Sequence, residues 1–116
     1  MNSCGHFCLN IASSATAQSL ATGFADWSAS QPAVDMPATA PIRWLSLQPL
    51  SANAGVIYVG FAGSLLSSSN FAFRIEAPVA TVPSAPFIIE GLMISLDKVF
   101  ISGTSGDDVA VGYIRG

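Results

Sequence analysis

Residues 71–76 read Phe71-Ala72-Phe73-Arg74-Ile75-Glu76, an alternation with a period of two. Phe71, Phe73 and Ile75 point to one side and Ala72, Arg74 and Glu76 to the other, as in a half-buried β-strand whose polar face meets water or a partner. Working outward from it, further strands are predicted near Ile42–Gln48, Val56–Phe61, Phe87–Glu90, Met93–Leu96, Lys98–Ser102 and Asp108–Ile114. Each is rich in β-branched or aromatic residues and is bounded by Gly, Pro, Ser or Asn. Two blurred strands are predicted around Phe7–Ala12 and Leu20–Ser28, where small residues weaken the alternation. Helical periodicity is confined to Ala12 to Ala25, a stretch rich in Ser and Thr with Gly23 inside it, which lowers helix propensity. The expected fold is all-β, with an extended N-terminal arm.

The chain divides at Ser30 to Pro41, where Pro32, Pro37 and Pro41 oppose both helix and central strand. Residues 1–40 are therefore expected to form an N-terminal arm or hairpin and a Pro-rich connection, and residues 41–116 the sandwich, within one compact domain. A second Pro-rich break, Ala77 to Pro86, reads as a loop or bent edge segment. Turns are predicted at Ser51-Ala52-Asn53-Ala54-Gly55, at Ser67-Ser68-Ser69-Asn70 and at Gly103-Thr104-Ser105-Gly106-Asp107-Asp108. In the last of these Asp107 or Asp108 is placed to accept backbone amide protons.

Composition narrows the function. Of 116 residues 51% are hydrophobic and 9% charged, against roughly 25% charged in an average soluble domain. Ser, Thr, Asn and Gly must coat the surface, or partner proteins must cover it. Arg43, Arg74, Lys98 and Arg115 are too widely spaced for the basic patch that phosphate neutralisation needs, so no nucleic-acid partner is expected. Trp44 to Phe73 contains no charged residue, yet Pro49, Asn53 and Ser67 to Asn70 interrupt it, so no transmembrane helix and no membrane partner are expected. The first ten residues lack a basic and an apolar region of the secretory kind, which points to cytoplasmic synthesis.

Few residues here can carry chemistry. General acid–base work wants a tuned His or carboxylate, and the one His is His6; no Ser sits in a Gly-x-Ser-x-Gly elbow. No catalytic residue, no metal and no cofactor are expected. Cys4, His6 and Cys8 are of zinc-binding type, but a structural site wants a fourth ligand, which a carboxylate, water or another subunit would have to supply; they read as two free thiols in an arm. Asp97, Asp107 and Asp108 match no calcium-loop signature, and Lys98, the one lysine, lies in no phosphate-binding loop. Trp27, Trp44 and Tyr58 would make a carbohydrate platform if they shared one face, whereas aromatic residues at strand spacing read as core.

From Ile42 to Ile114 the chain resembles a family of small tailed-phage virion proteins. The resemblance rests on the strand leading into Ser-Ala-Asn-Ala-Gly-Val-Ile-Tyr-Val-Gly, the Ser-rich turn, the Pro-containing stretch and the closing Ile-Ser-Leu-Asp-Lys-Val-Phe-Ile-Ser-Gly-Thr-Ser-Gly-Asp-Asp-Val-Ala-Val-Gly-Tyr-Ile. It implies an antiparallel β-sandwich of jelly-roll or immunoglobulin-like type on a phage particle: a capsid cement or decoration protein at the capsid surface, bound to the major capsid protein. One such small unit offers little contact area, so a homotrimer at threefold capsid positions is expected. Neck, tail or fibre-base and spike components are the alternatives within that class, and a carbohydrate-binding module is the rival outside it. Low charge suits broad packing contacts, since few charged groups need be desolvated when surfaces meet. The residues expected at the assembly interface are Phe24 and Trp27 in the arm, with Arg43, Arg74 and Arg115 as scarce charges able to make bidentate pairs.

Overall fold

Alternation begins at the first strand: in β1 (Cys4–Asn10) Phe7 and Leu9 are buried while Cys4, His6, Cys8 and Asn10 are exposed. In a computed structural model, which describes residues 4–12, 16–29, 37–61, 66–78 and 86–115, seven more strands follow. They are β2 (Gln18–Ser19), β3 (Pro41–Pro49), β4 (Ile57–Gly60), β5 (Phe73–Ile75), β6 (Phe87–Ser95), β7 (Phe100–Ser102) and β8 (Asp108–Arg115). One helix, α1 (Leu20–Ala29), follows β2, and a 3₁₀ turn, Leu96–Lys98, follows β6.

The strands form two antiparallel four-stranded sheets, ordered β1-β8-β3-β6 and β2-β7-β4-β5. They are called the long and the short sheet below. Consecutive strands repeatedly cross from one sheet to the other, and this order is that of the eight-stranded jelly roll. An immunoglobulin-like sandwich groups its strands differently, so the sequence alternatives resolve to the jelly roll. Ile42, Leu45 and Leu47 of β3, Val109, Val111 and Tyr113 of β8, Ile57 and Val59 of β4, Ile75 of β5 and Ile101 of β7 fill the space between the sheets. The register shift between Ile42 and Trp44 is a bulge that lets Ile42 and Leu45, three residues apart, both face inward.

Three expectations change. The N-terminal segment does not leave the fold over its described residues. β1 pairs with β8 along its whole length, from Cys4↔Ile114 to Asn10↔Asp108, because its inward face supplies core side chains that a free arm would leave wet. Leu20–Ser28 is helical, with Leu20, Gly23 and Phe24 buried. Its Gly23 is required by close approach, since a Cβ there would lie 2.8 Å from Leu9 Cδ1 and 3.0 Å from the Phe7 ring. Phe87–Glu90 and Met93–Leu96 are not two strands: β6 runs through both, and Gly91, at φ 75°, absorbs the irregularity without ending it. Residues 30–36 of the first Pro-rich stretch and 79–85 of the second lie outside the described residues.

The two open flanks of the sandwich are closed in different ways. On the β1 side α1 packs its aromatic side chains against the inner face, and Phe7, Phe24, Trp27 and Tyr113 form a cluster with ring centroids 5.8 to 6.4 Å apart. On the β5–β6 side Phe73 and Phe87 meet across the sheets at 4.7 Å, and Phe61 abuts Phe73 edge-on at 6.1 Å.

Candidate functional site

Two surfaces stand out, one on the outer face of each sheet. On the long sheet, strand register sets the side chains in rows: Cys4–Ile114–Trp44–Glu90, then His6–Gly112–Ser46–Ile88, then Cys8–Ala110–Gln48. The interior of this face, on β8 and β3, carries no charged side chain. Apart from Gln48 its residues are small or apolar, and all are half-buried, with the Trp44 indole lying over Gly112; Ile88 at the β6 end is 46% exposed. A shallow hollow of about 300 Å³ lies at one corner, lined by Arg43, Trp44, Glu90, Gly91 and Ile114. Such a face can meet another protein with little charge desolvation.

On the short sheet, a groove of about 500 Å³ runs between β4, β7 and the 66–70 turn, lined by Tyr58, Leu66, Ser67, Ser68, Ser102 and Thr104. Phe71, 40% exposed, packs on Tyr58 at 5.2 Å, which continues the aromatic wall toward Phe61 and Asn70. Hydroxyls and an aromatic edge suit a neutral, hydroxylated ligand. They supply no carboxylate or imidazole for acid–base chemistry.

The carboxylates of the closing turn have structural work. Asp107 is buried, and its carboxylate accepts the amides of Ala54 at 2.9 Å and Gly55 at 3.0 Å. Beside it the Asn53 side chain donates to the Asp108 carbonyl at 2.7 Å and accepts the Asp108 amide at 2.9 Å. The two most distinctive turns of the sequence are thereby clipped to each other, with Asp107 capping across the fold rather than within its own turn. Asp108 accepts from Asn10 Nδ2 at 2.9 Å, and Asp97 accepts from Ser95 Oγ. Among the described residues no three His, Cys, Asp or Glu side chains converge on a point.

Cys4, His6 and Cys8 all project from the outer face of β1, and both thiols are free. Burial first, and then the charge of Asp108, push the Cys8 thiol above its ordinary value. Tyr113 is buried and, among the described residues, its hydroxyl has no hydrogen-bond partner; burial, then the nearby Cys4, push its phenol upward too.

The residues expected at an interface fall in separate places. Phe24 is a core residue, 3% exposed, and offers no surface: at helical spacing it turns inward onto Phe7 and Tyr113. Trp27 stacks on Phe7 in the same cluster and is half-buried. Arg74 projects from β5 and pairs with Glu76, just past the end of that strand, at 2.7 Å, an exposed contact of little energetic weight. Arg43 and half-buried Arg115 lie at the Trp44 end of the long sheet, where Arg115 is in register with Ile42. The structure brings these two arginines to one end and leaves Arg74 on the other sheet. The aromatic platform is not formed: Trp44 lies on the outer face of the long sheet, Tyr58 on that of the short sheet, and Trp27 under β1. The surfaces that sequence reasoning missed are the uncharged face and the Tyr58–Phe71 groove. Alternating small residues in β8, Ala110 and Gly112, were the available signal for the first.

Among the described residues no helix is long and apolar enough to cross a membrane. Comparison of the chain with protein-family models, curated proteins and solved structures finds no match.

Proposed function

We propose that the chain is a structural protein of a tailed-phage particle, a capsid cement or decoration protein that bridges major capsid subunits at the capsid surface. The observation that carries this reading is the outer face of the long sheet, uncharged at its centre and only half-buried in one copy. Each square ångström of apolar surface covered there contributes on the order of 25 cal/mol before association entropy is subtracted. The virion resemblance of residues 42–114 and the low overall charge support the same reading. A homotrimer at threefold capsid positions fits it, because linked copies raise the effective concentration of each further contact.

The test is co-sedimentation of the purified protein with shells assembled from the major capsid protein of the phage that carries it. Binding is expected, and Ser46→Glu, which sets a charge at the centre of the face, should abolish it while leaving the melting temperature near that of the parent. Equal binding by the variant removes this face from the contact. Recovery of the protein in isolated tails instead of shells replaces the cement role by a neck, tail or fibre-base one. A second reading, a glycan-binding module, is favoured by the Tyr58–Phe71 groove with its hydroxyl lining. It predicts glycan-array binding that Tyr58→Ala eliminates.

A further inference from the structure

Among the described residues β1 has a strand neighbour on one side alone, β8. Just beyond it, the Ile11 amide donates to the Asp107 carbonyl and the Ile11 carbonyl accepts the Gly106 amide, both at 2.8 Å, so the peptide groups of Ile11 face β8. The two-residue period of a strand turns those of Leu9, Phe7 and Gly5 the same way. The N–H and C=O groups of Asn10, Cys8, His6 and Cys4 consequently face the open edge. Asn10 bears this out, since its carbonyl is taken by Gln18 Nε2 at 3.3 Å, a group outside the long sheet.

Natural edge strands are usually guarded by Lys, Pro or an inward charge. Cys4-Gly5-His6-Phe7-Cys8-Leu9-Asn10 has none of these; α1 packs beneath its inner face on Phe7 and Leu9, while Cys4, His6 and Cys8, whose peptide groups face the edge, have exposed side chains on the outer face. Their order is also symmetric about His6. Within one copy Cys4 and Cys8 stand roughly 14 Å apart along the strand, too far to share a bond or a bridging group. In an antiparallel pair of two such strands about a two-fold axis through His6, Cys4 falls opposite Cys8 of the second copy, with Cα atoms about 5.5 Å apart.

We propose that two copies of this chain associate edge to edge through β1, antiparallel and in register about His6, so that the long sheet runs continuously across both. The occupant of the edge is a second copy because the residue pattern is complementary to itself read in reverse. This contact does not depend on the capsid reading. Alone it makes dimers; combined with the threefold association proposed above it makes hexamers.

The experiment uses the full chain and the short, two-thiol fluorogenic crosslinker dibromobimane, followed by denaturing electrophoresis. Cys4→Ser and Cys8→Ser, each alone, should lose the fluorescent crosslinked dimer, because each leaves serine opposite its remaining thiol. An equimolar mixture of the two variants should regain it. In parallel, native mass spectrometry should show that His6→Pro, which removes an edge amide that takes no part in the β1–β8 ladder, halves the mass of the parent; His6→Lys, placing like charges opposite each other on the axis, should do the same. Crosslinking by either single variant as strong as in the mixture, or a parent mass with no two-fold multiple, overturns the proposal.

Discussion

The strands of the long sheet run seven to nine residues, and those of the short sheet two to four. Their inner faces are nevertheless buried alike: Leu47 and Ile57, one from each sheet, are both inaccessible to solvent. The hydrophobic drive that holds the sheets together is thus shared, and the difference lies in how each sheet satisfies its backbone. The long sheet does so with long ladders, interrupted at the Ile42/Trp44 bulge. The short sheet relies on what surrounds it: the Asp107 carboxylate on the Ala54 and Gly55 amides that lead into β4, the Leu20 amide on the Val99 carbonyl at 2.9 Å, and the Ala72 amide on the Val59 carbonyl at 2.9 Å. A ladder makes a rigid platform, and loop-supported strands leave room for a groove.

The largest effects should fall on the shared core and should not distinguish the sheets. Leu47→Ala and Ile57→Ala are each expected to cost about 3 kcal/mol in denaturant unfolding, within the usual range for deleting a buried aliphatic side chain. Hydrogen exchange of the parent should separate them, with β3 and β8 amides slowest and β4 and β7 amides faster. Uniform protection across both sheets would break the comparison.

Asp107→Ala comes next. It strips the acceptor from the Ala54 and Gly55 amides, both held by a buried carboxylate, at a cost of about 2 kcal/mol. Exchange should accelerate in β4 and β7 and hold in β3 and β8. Equal acceleration everywhere would mean that the clip supports the whole sandwich.

Much of this division was legible in the sequence, and the misses have local causes. Phe73, Arg74 and Ile75 follow the predicted alternation, as do β8 and, past its bulge, β3, because one face of each strand is core and the other is not. β6 was split in two at Gly91, since glycine punctuates a pattern whether it ends a strand or bends one. In α1 the spacing Leu20, Gly23, Phe24, Trp27 is helical, but Ala, Thr and Ser between them dilute any period. That misreading put Phe24 on a surface it does not reach. The faces offered to partners were less legible, because a surface row is assembled from strands distant in sequence and exists only once register is known.

The long sheet has one flaw of its own. The Tyr113 hydroxyl is buried without a partner among the described residues, and Tyr113→Phe should remove a desolvated polar group and raise stability by about 1 kcal/mol. A loss of stability would show that the hydroxyl is satisfied in solution. The smallest effect concerns a single thiol. With its pKa raised by burial and by Asp108, Cys8 should be alkylated through a pH midpoint above that of an ordinary thiol, since the thiolate is the reactive form. Asp108→Asn removes the second of those causes and should move the midpoint down; an unmoved midpoint would leave burial as the whole cause.

The place of β8 in the long sheet also bears on how the chain is born. β8 follows every other strand in sequence, yet it lies between β1 and β3. Until residue 115 has left the ribosome, both of those strands wait with a hydrogen-bonding side unfilled and Phe7, Leu9, Leu45 and Leu47 without their opposite numbers. Closure across such long sequence separations is slow and leaves apolar strands open to stray pairing meanwhile. Nascent chains stalled before Asp108 should therefore be the form that chaperones retain.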